Sequence, residues 1–145
     1  MNLAKNKYLQ IIFSSSLIFI TTHVSSANGM PVSDFDGKWE GTISCTTHLI
    51  KKKPPFSQIT EFDIREGEIS ANQSSEKDSV MTIWSGSITN GAAEITGSAK
   101  RNDGSGSWIF ELSGTTDSNQ KISFIGEMHA NGVKIRDCTI EMQRL

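Results

Sequence analysis

The sequence has few of the residues from which catalytic and metal sites are usually built. Its 145 residues include two cysteines and three histidines, and none of them shows the short spacing of zinc ligands. A hydrolase would need a nucleophile beside a base and an orienting partner, and the Gly-x-Ser-x-Gly nucleophile motif does not occur. We therefore expect no enzymatic activity, no catalytic residue, no metal site and no cofactor.

Long apolar runs are also scarce, and the longest stands near the N-terminus. Lys5 and Lys7 precede an apolar block over residues 9–20, and Ser25-Ser26-Ala27 follows it. This order of basic, apolar and small residues is typical of a cleaved signal peptide, and the block is shorter than the about 20 residues that span a bilayer. The sequence predicts a signal peptide over residues 1–27, with an uncleaved anchor or an apolar helix of the fold as alternatives.

Cleavage there leaves residues 28–145, which have the length of a single domain. Such a chain would be periplasmic or secreted, with no stable membrane insertion once the signal peptide is removed. Neither sign of charge dominates, because removal of Lys5 and Lys7 only takes the formal net charge from −2 to −4. Mild acidity argues against nucleic acid as the main partner.

The two cysteines, Cys45 and Cys138, are far apart in the sequence. An exported chain meets oxidising conditions, and two thiols without a Cys-x-x-Cys spacing are more simply read as a disulfide than as free or metal-bound thiols. We expect a Cys45–Cys138 disulfide, which would tie the start of the mature chain to its end.

Helical periodicity is lacking after residue 28, and apolar residues instead alternate with polar ones, which is the pattern of strands with one buried face. Turn sequences such as Asn90-Gly91 and Asn131-Gly132 separate the alternating segments. These segments lie at residues 39–45, 59–65, around 69, 80–89, 93–100, 108–114, 122–128 and 133–143.

About eight consecutive strands with short links predict an all-β fold, a single antiparallel up-and-down meander that closes into a barrel. A disulfide between the first and last segments fits closure, although a sandwich remains the alternative. The alternation changes phase in the last segment, between Val133-Ile135 and Cys138-Met142, which predicts a bulge near Arg136-Asp137.

Glycine recurs on the apolar face of the predicted strands. The pattern Trp-x-Gly-x-Ile occurs at 39–43 and again at 84–88, and five glycines share the phase of the apolar residues: 41, 86, 97, 114 and 126. Glycine weakens a strand unless its missing side chain has a use. It either lets the barrel bend and fit its own large rings, or it hollows a cavity for a ligand.

Gly37-Lys38-Trp39 resembles the GxW signature of calycins, the lipocalin and avidin-like barrels. The resemblance implies a last-strand arginine packed across the tryptophan, for which Arg136 and Arg144 are the candidates. Thr116-Asp117 is similar to the start of the lipocalin TDY motif, with Ser118 in place of the aromatic residue, and residues 28–145 lack the tyrosine of an avidin-type biotin site. Residues 36–41, with the two cysteines, are also similar to small exported bacterial proteins of unknown function that begin with DGxWxG.

Two functions are compatible with such a barrel. The first is an exported, non-enzymatic protein that binds a small apolar or amphipathic ligand, with Trp84, Trp108 and Phe110 as the wall and with Trp39 and Arg136 closing one end. The second is a protein-binding module, such as a secreted inhibitor or effector, with a filled barrel and a contact loop at residues 48–57. That loop contains Lys51-Lys52-Lys53-Pro54-Pro55-Phe56, but neither the ligand nor the protein partner is identified by the sequence.

Overall fold

The computed structural model describes residues 30–73 and 79–145, so the predicted signal peptide at 1–27 lies outside the described residues. A short 3-10 helix, Val32–Phe35, leads into eight strands. They are β1 Gly37–Cys45, β2 Phe56–Arg65, β3 Glu68–Gln73, β4 Val80–Thr89, β5 Ala92–Arg101, β6 Ser107–Ser118, β7 Lys121–Ala130 and β8 Val133–Arg144. Within the described residues, no helix has the length and apolar character needed to cross a membrane.

The eight strands form a closed antiparallel up-and-down barrel, which confirms the predicted fold class. Each strand pairs with the next, and β1 pairs with β8 from Trp39↔Arg144 to Cys45↔Cys138. Cys45 and Cys138 are directly opposed, with 4.2 Å between their Cα atoms, and form the predicted disulfide. The first and last strands are therefore joined both by backbone pairing and by a covalent bond.

Strand positions agree with the alternation except that β2 begins at Phe56, so the last two residues of the predicted contact loop at 48–57 belong to a strand. Two further local features differ. The phase change in β8 is a bulge at Ile135, because Met128 pairs with Arg136 while His129 pairs with Lys134. Ile135 and Arg136 are consequently both buried, one residue earlier than the predicted position. β6 continues to Ser118, because its last residues pair with β7. These residues are polar, so they lack the alternation of apolar and polar residues from which a strand is predicted.

The connections divide between two ends of the barrel. One end carries the 3-10 helix, the start of β1 and the turns at 66–67, 90–91 and 119–120; we call it the closed end. The other carries the loop at 46–55, the turn at 102–106 and the turn at 131–132; we call it the open end. The Asn-Gly turns predicted at 90–91 and 131–132 have the positive φ angles that favour these residues.

The closed end is sealed by residues around Trp39. The indole Nε1 of Trp39 donates to the carbonyl oxygen of Phe35 at 2.8 Å, and the two rings lie 6.4 Å apart between centroids. Arg144 donates from Nη1 to the carbonyl oxygen of Asp34 at 2.7 Å and from Nη2 to that of Asp36. Trp39 and Phe35 are fully buried, so no ligand reaches the interior from this end.

The inward glycines make room for the protein's own atoms. A β-carbon at Gly41 would lie 2.5 Å from the Phe62 ring, and one at Gly97 would lie 2.5 Å from the Trp84 ring. At the other three positions, 86, 114 and 126, a β-carbon would collide with the backbone of the neighbouring strand. The interior is therefore packed, and the glycines permit ring packing and close strand approach, as small barrels require.

The seam between β2 and β3 is the weakest part of the wall. Within the described residues, three residue pairs join these strands, all toward the closed end. Toward the open end the strands are linked by side chains, since Gln73 Oε1 accepts a hydrogen bond from Thr60 Oγ1 at 3.0 Å and from Gln58 Nε2 at 3.3 Å.

We expect Gly126→Ala to lower the free energy of unfolding by about 2–3 kcal/mol, because the added methyl group collides with the backbone of Glu111 and cannot be relieved by a side-chain rotation. Gly106→Ala is the control, since its β-carbon would have no neighbour closer than 3.7 Å. Urea unfolding followed by tryptophan fluorescence measures both, and equal stability of the two variants would contradict the role given to Gly126.

We expect Cys45→Ala combined with Cys138→Ala to lower the free energy of unfolding by about 3 kcal/mol, because the bond closes a long loop in the unfolded chain. Reductant should destabilise the native protein to a similar extent and leave the double variant unchanged. The oxidised chain should also be two hydrogens lighter than the reduced one by mass spectrometry. A reductant effect that persists in the double variant would contradict this assignment.

Candidate functional site

The described residues enclose one large concave space in the barrel, at the open end. It has a volume of about 790 Å³ and lies between the loop at 46–55, the turn at 102–106 and the turn at 131–132. Its apolar lining residues, which we call the lower wall, come from five strands: Phe56 of β2, Val80 of β4, Trp108 and Phe110 of β6, Met128 and Ala130 of β7, and Ile135 of β8. The cavity has the size of a small-molecule site, and its lining combines the apolar lower wall with basic and other polar side chains.

The charged residues around this cavity are all basic. They are Lys51, Lys53, Lys100, Arg101 and Arg136, with His48 beside them. None of the acidic side chains in the described part of the chain lines the cavity, although Asp103 pairs with Arg101 at 3.6 Å nearby. Because the whole chain carries a net charge of −2, this concentration of positive charge is local, and it attracts anions.

Arg136 is the most buried cation of the site. Only 5 % of the residue is exposed, and its Nη1 donates to the carbonyl oxygens of Thr46 and of Pro54, the latter at 2.9 Å. Its Cζ atom lies 5.2 Å from the centre of the Phe56 ring. Burial lowers the pKa of Arg136, but a guanidinium stays protonated at any physiological pH.

No carboxylate of the described residues forms an ion pair with Arg136; the neighbouring Asp137 pairs with Lys134 at 2.7 Å. A buried charge is costly unless it is paired, and the two carbonyl oxygens supply only partial negative charge. The site therefore contains a buried cation at a cavity wall, where an anion would complete its pairing.

His48 organises the loop that covers one side of the cavity. Its Nδ1 accepts hydrogen bonds from the backbone N–H of Ile50 at 3.2 Å and of Lys51 at 3.1 Å, so the neutral ring carries its proton on Nε2. Burial lowers the pKa of His48, and the positive charges of Arg136, Lys51 and Lys53 lower it further. The neutral form is thus the one that the loop structure requires.

The structure separates the five residues that the sequence grouped as a site. Trp108, Phe110 and Arg136 line the cavity. Trp84 is buried beneath it, with its ring centre 4.9 Å from that of Phe110 and 6.0 Å from that of Phe62. Its indole N–H has no acceptor among the described residues.

Trp39 and Arg136 do not close one end together, because they lie at opposite ends of the barrel. β8 runs antiparallel to β1, so the residue opposite Trp39 is Arg144, near the end of β8. Of the two arginines that the sequence offered as partners of Trp39, Arg144 occupies that position, and Arg136 belongs to the open end.

Two basic residues of the cavity, Lys100 and Arg101, were not identified from the sequence, and His48 was included only as the first residue of the contact loop at 48–57. The connections of an up-and-down meander lie alternately at its two ends, so the links after β1, β5 and β7 share one end. Counting basic residues next to those links would have found Lys100 and Arg101. The structural role of His48 leaves no such signal, because it depends on hydrogen bonds within the loop.

The outer wall next to the cavity carries a second charged group. His129 Nε2 lies 3.1 Å from Glu127 and its Nδ1 lies 3.6 Å from Glu111, while Lys134 contacts Glu127 at 2.7 Å. Glu127, His129 and Lys134 are half-buried and Glu111 is exposed, so the group forms a polar network on the outer wall. Across the described residues, no group of three potential metal ligands comes together.

Comparison with known proteins gives little to add to this geometry. No protein-family model matches the chain, and no curated protein sequence does. Among solved structures, the YwiB protein from Bacillus subtilis is similar at 9 % identity with a TM-score of 0.42, over 77 % of this chain and 94 % of the other. A similarity this distant does not bear on the cavity or its residues.

We expect stability to depend on pH through His48. Since folding lowers the pKa of His48, the unfolded chain takes up the proton more readily, and the free energy of unfolding should decrease as the pH falls through about 6.5, the ordinary pKa of histidine. His48→Asn keeps an acceptor for the two N–H groups without titrating, so its stability should depend less on pH in this range. Urea unfolding at several pH values measures the difference, and parallel curves would contradict the prediction.

Proposed function

We propose that this protein is an exported, non-enzymatic barrel that binds, in the cavity at its open end, a small amphipathic molecule with an acidic headgroup. The observation that carries the proposal is Arg136, a buried guanidinium without a carboxylate partner among the described residues, placed on the wall of a cavity that combines apolar and basic side chains. No other cation of the described barrel combines such burial with a free cavity beside it.

The cavity supports both halves of such a ligand. A carboxylate or phosphate can accept two parallel hydrogen bonds from a guanidinium, and Lys51, Lys53 and Lys100 add positive charge around it. An apolar tail would lie against Trp108, Phe110 and other apolar side chains of the lower wall. Because the Trp84 and Phe62 rings fill the barrel below, the ligand would sit in the mouth rather than pass through the interior.

The hydrogen bonds of His48, the histidine that lines the cavity, favour binding over catalysis. A histidine base needs an available ring nitrogen within hydrogen-bond reach of the reacting group. The Nδ1 of His48 is already occupied by two backbone N–H groups, and no carboxylate of the described residues lines the cavity to assist it.

Export is supported by the disulfide, because such bonds persist in oxidising compartments, and by the signal-peptide pattern in residues 1–27. The periplasm and the exterior are both compatible with these features. The calycin resemblance is supported at the closed end, where Trp39 pairs in register with the last-strand Arg144 and the guanidinium group of Arg144 lies beside Gly37. We therefore include a calycin-like barrel in the proposal.

A protein-binding module remains the second candidate, and the packed interior favours it. Such a module would use the outer side of the contact loop at 48–57, where Leu49, Ile50 and Lys52 are exposed. It differs from the first candidate in leaving the cavity without a specific small ligand.

The proposal is tested by calorimetric titration of the oxidised protein with decanoate, decanol and inorganic phosphate. We expect decanoate to bind at least about tenfold more tightly than decanol, because charge-assisted hydrogen bonds to Arg136 are lost with the neutral headgroup. Phosphate alone should bind weakly, because it lacks the tail. Equal affinities for decanoate and decanol, or no binding of either, would exclude this ligand class and favour the protein-binding module.

Arg136→Met should weaken decanoate binding by at least about tenfold, since it removes the charge but keeps an apolar side chain. The chain offers a matched control in Arg144→Met, which removes an arginine that also holds two backbone carbonyl groups, but at the closed end. If Arg136→Met does not fold, the combined variant Lys100→Gln and Arg101→Gln tests the same charge from the rim. Weaker binding in Arg144→Met alone would contradict the assignment.

A further inference from the structure

The outer side of the loop at 46–55 presents two apolar side chains to solvent. Leu49 is 45 % exposed and Ile50 is 63 % exposed, and Lys51, Lys52 and Lys53 follow directly, all exposed. Lys51 and Lys53 also line the cavity, whereas Lys52 does not. We call residues 49–53 the apolar-basic tip.

The apolar-basic tip is held in a defined conformation. The backbone N–H of Leu49 donates to Ile135 of β8 at 2.8 Å, and the N–H of His48 donates to Lys53 at 2.9 Å. Lys52 has a φ of 54° and donates from its N–H to His48 at 3.0 Å. Since the turn is closed on itself and tied to the barrel, exposure of Leu49 and Ile50 is a fixed property of the fold, and little conformational freedom is lost when they contact a surface.

The balance of charge differs between the two ends of the barrel. At the closed end, exposed cations are paired: Lys38 contacts Glu61 at 3.2 Å, and Lys121 contacts Glu141 at 2.9 Å. At the open end, the lysines of the apolar-basic tip form no ion pair with any described residue, and the basic cavity stands next to them. Among the described residues, positive charge without an ion-pair partner and exposed apolar side chains therefore occur together on one end.

We propose that the open end docks on the surface of an anionic lipid bilayer through the apolar-basic tip. Leu49 and Ile50 would enter the boundary between headgroups and acyl chains, and the three lysines would contact the anionic headgroups. A polyanion would be satisfied by the lysines alone, so the exposed apolar pair is what points to a bilayer. The contact is peripheral, and it does not require the cavity to hold a ligand.

The docking is tested by flotation of the mature, oxidised protein with vesicles of phosphatidylcholine, with and without phosphatidylglycerol, and with no decanoate present. We expect binding only to the vesicles that contain phosphatidylglycerol, and loss of most of that binding at about 0.5 M salt, because surface charge is screened there. No binding to the anionic vesicles at low ionic strength would overturn the proposal.

Charge is tested with the combined variant Lys51→Gln, Lys52→Gln and Lys53→Gln. We expect its vesicle partition coefficient to fall by at least about tenfold. The matched control, Lys38→Gln, Arg65→Gln and Lys121→Gln, removes the same number of cations from exposed ion pairs toward the closed end. An equal loss in both variants would mean that net charge alone governs binding and would overturn the proposal.

Insertion is tested with Leu49→Thr combined with Ile50→Thr, against Ile59→Thr combined with Ile125→Thr on the outer wall, where the exposed fractions are 62 % and 72 %. Only the first pair should weaken binding, and Ile50→Trp should show a blue-shifted emission with anionic vesicles. Binding that needs the lysines but neither apolar residue, with no shift in Ile50→Trp, would overturn the bilayer in favour of a polyanion. Capture of a protein by the tip without any vesicle binding would favour the protein-binding module.

Discussion

Closure of β1 against β8 is the constraint on which the other features of the molecule depend. Without it, the meander would be an open sheet with two free edges, and its apolar face would lack a common interior. The backbone pairs from Trp39↔Arg144 to Cys45↔Cys138 run the length of the contact, and the disulfide fixes its end nearest the cavity. Closure also brings the loop after β1 next to β8, which places Arg136 beneath that loop.

β8 carries an arginine at each end of this contact, and the two have different surroundings. Arg144 holds the carbonyl groups of Asp34 and Asp36 and helps to seal the closed end. Arg136 holds the carbonyl groups of Thr46 and Pro54 in the same manner, but a cavity remains beside it. Both arginines thus stabilise the chain at their own end of the barrel. Arg136 also presents a buried positive charge to the cavity.

The sequence was sufficient for the architecture and insufficient for the site. Alternation and Asn-Gly turns are local signals, and they correctly predicted the strands and the closure that the cysteines imply. Whether Gly97 leaves room for a ligand depends on the ring of Trp84 from another strand, which local patterns do not report. The grouping of Trp39 with Arg136 was wrong because it ignored register, and the cavity itself depends on the loop that His48 organises.

The number of backbone pairs between neighbouring strands varies around the barrel, and it is lowest at the seam between β2 and β3. Within the described residues, three backbone pairs join these strands, whereas seven pairs and a covalent bond join β1 and β8. Fewer backbone hydrogen bonds would therefore have to break to separate β2 from β3. Toward the open end, the side chain of Gln73 holds the two strands together by accepting hydrogen bonds from Gln58 and Thr60. Separation at this seam would leave β8, β1 and β2 together, because β1 pairs with both neighbours and is bonded to β8 by the disulfide.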